Sequence, residues 1–126
     1  MDPGFGAPSA LTFRTALPET LYAEDTQRIS FYRGLEERLS AVPGVTAIGG
    51  TMALPLTDVH FRLSFEVDGR APLPPAQQPS LEVRVVTPAY FRAIGIPVLA
   101  GRGYTDADGP EAPQVAILSR AAVARH

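Results

Sequence analysis

The stretch Val86-Thr87-Pro88-Ala89-Tyr90-Phe91-Arg92-Ala93-Ile94-Gly95-Ile96-Pro97-Val98-Leu99-Ala100-Gly101-Arg102 holds the strongest local code in this 126-residue chain. Thr87 can cap a helix whose first position is Pro88, a ring already set at a helical φ with no N–H to leave unpaired. Tyr90, Phe91 and Ile94 then supply apolar contacts over about one and a half turns. Gly95 suits the left-handed position that ends a helix. Ile96 to Leu99 follow as a short extended run, and Gly101-Arg102-Gly103 as a turn. The pattern predicts a capped helix packed on a sheet, and it supplies no reactive group.

Upstream, the spacing predicts a longer helix from about Asp25 to Val42, capped by Asp25 or Thr26. Ile29, Tyr32, Leu35, Leu39 and Val42 recur at three- and four-residue steps, while Arg28, Arg33, Glu36, Glu37 and Arg38 take wetter faces. Burying four such apolar side chains is worth about 6–12 kcal/mol before conformational entropy, so this helix must lie on something. Pro43-Gly44 ends it. On one side Leu11, Phe13 and Thr15 alternate with Thr12, Arg14 and Ala16; on the other runs Val45-Thr46-Ala47-Ile48. Both read as strands, so strand, helix and strand predict a βαβ unit with parallel strands and a right-handed crossover. Residues 1–9, rich in proline and glycine, are expected to be irregular.

The texture changes near residue 57. Phe61, Leu63, Phe65 and Val67 alternate with Arg62, Ser64, Glu66 and Asp68, the pattern of an antiparallel strand with one packed and one wet face. Leu81, Val83 and Val85, alternating with Glu82 and Arg84, supply its partner. Asp68-Gly69 turns the chain between them, and residues 70–80 hold four prolines, too many for ladder pairing. Val115-Ala116-Ile117-Leu118 lacks alternation and predicts a strand covered on both faces. Ser119 can cap a helix from Arg120, and the chain stops after barely two turns of it, as a segment of a longer domain would. The expected class is α+β: a βαβ half, then an antiparallel β-rich part with short helices.

Composition removes several classes of function. The length fits one domain with a single core. A net charge of −2 gives no footprint for nucleic acid or an anionic membrane. All eleven basic residues are arginine, which marks a compositional bias more than a binding role. With zero cysteines there are no disulfides or thiolate metal sites. No run approaches the roughly eighteen apolar residues that span a bilayer, and no leader pattern is visible, which predicts a soluble segment.

No constellation predicts a catalytic, cofactor-binding or metal-binding residue. Asp106-Ala107-Asp108-Gly109-Pro110-Glu111 superficially matches the start of a calcium loop but lacks the twelve-residue ligand frame, so it reads as an aspartate-capped turn, with Arg102 a candidate partner for Asp106 or Asp108. His60 beside Asp58 lacks a nucleophile or polarised water. Ser119 lacks the glycines of a nucleophile elbow and reads as a cap. Gly49-Gly50 precedes neither a lysine nor a helix N-terminus, and suits close backbone packing or a bend better than a phosphate loop. Leu54-Pro55-Leu56 and the proline-rich 72–79 loop are the candidate partner-facing surfaces.

The 86–102 tract resembles the "V-S-P-x-Y-F-x-x-x-G-I-P-x-L-x-G-R" signature in extracytoplasmic domains of MacB/FtsX-like ABC transporter permeases. Phe31-Tyr32, Leu35, Arg38-Leu39 and Val42-Pro43-Gly44-Val45 resemble the "F-Y-x-x-L-x-x-R-L-x-x-x-P-G-V" stretch of the same domains. Asp2-Pro3-Gly4-Phe5, Leu11-Thr12, Leu17-Pro18, Tyr22, Pro55-Leu56, Val67-Asp68-Gly69, Asp106-x-Asp108 and Val115-Ala116-Ile117 fall in the expected order. The chain is most similar to the second such domain of large, acidobacterial-type permeases. The resemblance implies a truncated MacB-like periplasmic core within residues 1–126: a porter-like βαβ half over 9–56 and a Sabre-like β-rich part over 57–126. It implies a non-catalytic role, coupling cytoplasmic ATP hydrolysis to periplasmic export or mechanotransmission at the outer face of the inner membrane. Its partners would be the membrane-spanning remainder of the permease, a separate ATPase subunit or domain, and a periplasmic protein. No nucleic acid or cofactor is expected, and self-association is expected of an uncovered edge strand or helix face. A periplasmic small-ligand or peptide-binding module, with an apolar groove near the 61–67 and 81–85 strands, is the alternative.

Overall fold

The computed structural model describes residues 6, 9–57 and 59–125. They form a mixed α+β arrangement of three helices and one two-stranded antiparallel sheet. The described residues divide into two compact units, one within Met1–Gly50 and Thr87–Tyr104, the other within Thr51–Val86 and Thr105–His126.

The first unit is built on α1, Asp25–Ser40. Its cap sits one residue before the two expected: Glu24 is extended, and its N–H donates to Gln27 Oε1 at 3.1 Å. A glutamine three residues into the helix thus satisfies the cap backbone, one half of a capping box. Asp25 instead pairs with Arg28 at 2.7 Å. The helix stops two residues short of Val42 because the turn Val42–Val45, closed by Val45 N–H donating to the Val42 carbonyl at 3.2 Å, takes over. Tyr22, Phe31 and Tyr32 pack edge-on in sequence, with centroids 5.4 Å apart at each step, and Tyr32 Oη lies 3.3 Å from Thr15 Oγ1. Yet no residue of α1 is buried.

The βαβ unit expected around α1 is not formed among the described residues. Residues 11–16 and 45–48 carry no strand pairing. The reason is non-local. Alternation decides which face a side chain takes, but a strand exists only when a neighbour accepts its backbone hydrogen bonds. The expectation for residues 1–9 lies outside the described residues except at Gly6 and Ser9.

The 86–102 tract folds as α2, Tyr90–Ala93. The expected capping by Thr87 is replaced by a turn: Tyr90 N–H donates to the Thr87 carbonyl at 3.0 Å, so Pro88 and Ala89 precede the helix. The Thr87 hydroxyl is engaged elsewhere, accepting from Gly50 N–H at 2.9 Å, while Thr87 N–H donates to the Gly50 carbonyl at 2.9 Å. The helix end is as expected. Gly95 has φ +70°, Ile96 N–H donates to the Phe91 carbonyl at 2.9 Å and Gly95 N–H to the Arg92 carbonyl at 3.3 Å. That is a Schellman motif, which requires a left-handed residue. Tyr90 is buried, its ring edge-on to Phe91 at 5.6 Å, and Phe91 lies 6.3 Å from Tyr104.

In the second unit, β1 (Arg62–Ser64) pairs antiparallel with β2 (Ser80–Glu82), Leu63 opposite Leu81. Both are shorter than their alternating tracts. Val83 N–H to the Phe61 carbonyl at 2.7 Å and Phe65 N–H to the Pro79 carbonyl at 3.1 Å extend the pairing by one rung each way. Pro79 has no N–H to return, which limits the ladder there. Past Val83, Thr51 bridges Val86, and Met52 N–H donates to the Val85 carbonyl at 3.2 Å. A 3-10 turn, Pro75–Gln77, lies in the proline-rich loop.

The strand expected at 115–118 is absent, and both faces are not covered: Val115 is 46% and Leu118 56% exposed. The apolar run stays irregular, outside any strand ladder among the described residues. Ser119 does cap α3, Arg120–Arg125, its Oγ accepting from Ala122 N–H at 3.2 Å.

Candidate functional site

A group of ionisable side chains lies on the wet face of the β1–β2 ribbon. Strand alternation puts His60 and Arg62 on the same side as Glu82 and Arg84. His60 Nδ1 lies 2.8 Å from Glu82 Oε1, and Arg84 Nη2 lies 3.5 Å from Glu82 Oε2. Arg62 sits opposite Glu82 in register and donates to Ser80 Oγ at 2.9 Å. The His60 hydrogen bond holds the Glu82 carboxyl below its ordinary value of 4.5; slight desolvation opposes this, and the charges of His60, Arg84 and Arg62 add to it. His60 and Glu82 are open to solvent, while Arg84 is partly covered, its side chain 27% exposed. Exposed pairs of this kind contribute little stability; they line one face of the ribbon in the order its register sets.

Because Glu82 is held low, its ion pair favours the folded state above the unfolded carboxylate's titration and is lost as pH falls through the folded value. A carboxyl-detected NMR titration should give Glu82 a midpoint below 4.5, and His60→Ala should move that midpoint upward. An unchanged midpoint in the variant would remove His60 as the cause.

The expected neighbour of His60, Asp58, lies outside the described residues, and the partner seen is Glu82, 22 positions away. Alternation was the signal that could have joined them. Asp108 closes its own turn, accepting from Thr105 N–H at 2.8 Å and lying 3.2 Å from Thr105 Oγ1. That is the aspartate-capped turn read from the sequence. Arg102 Nη1 donates to the Gly103 carbonyl at 2.9 Å. Among the described residues no three His, Cys, Asp or Glu side chains gather as a metal site would require.

Gly49 and Gly50 serve close backbone packing. A Cβ on Gly49 would run into Tyr90 Cα and stand 2.9 Å from Tyr90 N, while one on Gly50 would meet Thr87 Cγ2 at 3.1 Å. Leu54-Pro55-Leu56 presents its second leucine outward: Leu56 is 87% exposed with φ +61°, a left-handed conformation rare for leucine. Thr57 Oγ1 braces this turn by donating to the Leu54 carbonyl at 2.7 Å. The proline-rich loop is tied back to the ribbon, Gln78 Nε2 donating to Glu66 Oε1 at 3.0 Å.

Two open clefts accompany these features. One, of about 310 Å³ in the first unit, has Glu36, Ser40, Val45, Ile48 and Arg92 in its wall. Its Ser40 hydroxyl is engaged, donating to the Glu36 carbonyl at 2.7 Å. The other, of about 370 Å³ in the second unit, follows the turn Glu66–Arg70. Neither is the apolar groove that a small-ligand module would present.

No family model, curated protein or solved structure matches the chain. None of the described helices is long and apolar enough to cross a membrane.

Proposed function

We propose that this chain is a non-catalytic extracytoplasmic segment of an ABC-type permease, one that carries force between membrane helices and a periplasmic partner. The observation that carries the reading is the order and spacing of the tracts from Phe31 to Val45, Val67 to Gly69, Val86 to Arg102 and Val115 to Ile117. Their use in the fold supports it. Tyr90 of the longest tract is buried, Gly95 ends its helix, and Pro43-Gly44 turns the chain out of α1. A force-transmitting domain needs a stiff body and a contact surface, and the outward Leu56 supplies an apolar point for such contact. On this reading residues 9–56 belong to the porter-like half, and residues 11–16 and 45–48 find their strand partners in the remainder of the permease. Residues 57–126 belong to the Sabre-like part. ATP binding and hydrolysis occur on a separate cytoplasmic subunit or domain.

Reporter fusions within the native reading frame test this directly. Alkaline phosphatase joined after Ser119 should be active and a green fluorescent protein at the same site dark, since the first folds only after export and the second only before it. The reverse pattern overturns the proposal. A saturable rise in melting temperature with a periplasmic metabolite or peptide would also overturn it, in favour of a ligand-binding module.

A further inference from the structure

We infer that β1 is a self-pairing edge, and that a second copy of this chain adds to it antiparallel about Ser64. The two-stranded sheet leaves β1 with one edge uncovered by any strand among the described residues. Phe61, Leu63 and Phe65 turn their backbone groups towards β2, so by alternation Arg62 and Ser64 turn theirs outward. Arg62, Leu63 and Ser64 are all exposed, Leu63 to 50%. An exposed strand edge with outward N–H and C=O groups is a template for another strand.

The side chains select both partner and register. Continuing the extended tract to Val67 and placing a two-fold axis at Ser64 sets Arg62 of each copy opposite Glu66 of the other, so one rotation forms the opposite-charge pair twice. On the other face the same register sets Leu63 beside Phe65 and Phe61 beside Val67, again twice, extending an apolar surface to which Leu81 and Val83 already contribute. Moving the axis to Leu63 places Arg62 against Ser64. Moving it to Arg62 sets two arginines face to face. Cross-strand pairs reward opposite charges and penalise like ones, so the Ser64 axis is preferred. A strand complementary to itself under one rotation specifies a closed two-fold dimer rather than an open chain.

The absence of cysteine in the chain makes the register measurable. In a hydrogen-bonded pair the two Ser64 Cα atoms lie about 5.5 Å apart, within disulfide reach, whereas two Arg62 positions fall roughly 14 Å apart. Under mild oxidation Ser64→Cys should therefore cross-link to a dimer. Arg62→Cys and Glu66→Cys should not cross-link alone, but should do so when mixed. Sedimentation equilibrium of the unmodified chain should show a dimer, and Glu66→Arg should raise its Kd at least about tenfold by setting arginine against arginine. Far-UV circular dichroism of each variant controls for folding. A monomer at the highest concentration reached, or cross-linking of Arg62→Cys as readily as Ser64→Cys, overturns the proposal.

Discussion

Tyr90→Ala should lower the stability of the first unit by about 3–5 kcal/mol, the cost of emptying a buried aromatic site that surrounding atoms refill only in part. Tyr90 is 6% exposed, and Ala53 is the only other buried residue among those described. With so little of the chain shielded from water, one ring carries a large share of the burial. The ring also orients its neighbours: it stands edge-on to Phe91, which stacks at a tilt towards Tyr104. Phe91→Ala should cost less, since Phe91 is only half-buried and its place can be taken partly by water. Urea unfolding followed by circular dichroism at the helix band gives both values. A loss below about 1 kcal/mol for Tyr90→Ala would mean that the site collapses around the smaller residue, and that the tract is held by its backbone turns instead.

Tyr90 and Thr87 differ in how far the local sequence specifies their roles. The apolar spacing of Tyr90, Phe91 and Ile94 and the glycine at 95 are local codes, and the fold uses them as read, down to the Schellman bonds at Ile96 and Gly95. Thr87 carries an equally good local code for a cap, but its hydroxyl accepts from Gly50, 37 positions away. A hydrogen bond to a distant backbone group outcompeted the local one, and spacing does not encode that choice. The same division separates the helices from the strands. Periodicity found α1 to within two residues at its end, because helical hydrogen bonds close within one segment. The alternating tracts found β1 and β2, because each had the other as partner. Residues 11–16, 45–48 and 115–118 had suitable composition, but among the described residues none joined a strand ladder.

The ionisable cluster follows the same rule. Reading His60 with its sequence neighbour Asp58 missed Glu82, which the antiparallel register brings to 2.8 Å. Combining the two alternating tracts into one ribbon would have placed His60, Arg62, Glu82 and Arg84 on a common face. The missing information was the register, fixed by Leu63 opposite Leu81. Leu56 is the opposite case. Its place in a Leu-Pro-Leu run marked a surface, but nothing in the residue type foretold a left-handed leucine.

Gly49→Ala is the second large effect, expected to destabilise the first unit by about 3 kcal/mol, at the upper end of overpacking costs. The added methyl would meet Tyr90 Cα and N, with Ala93 Cβ at 3.2 Å closing the remaining side. Backbone atoms at the start of α2 cannot rotate away, so relief requires the 45–50 segment to separate from the helix. That movement would strain the bonds between Gly50 and Thr87. Gly50→Ala should cost less, about 1 kcal/mol, because the atom it meets is the Thr87 side-chain methyl at 3.1 Å, which can give by a small rotation. A double-variant cycle separates two origins of the Gly49 effect. If glycine is needed to let the backbones approach, Tyr90→Ala leaves Cα and N in place and does not rescue Gly49→Ala; the losses add, or the unit unfolds. If glycine were needed only to make room for the aromatic ring, removing the ring would recover most of the loss. The contact lies with the backbone, so Tyr90→Ala is expected to leave most of the Gly49→Ala loss unrecovered. Rescue in the double variant would instead place the constraint on the side chain.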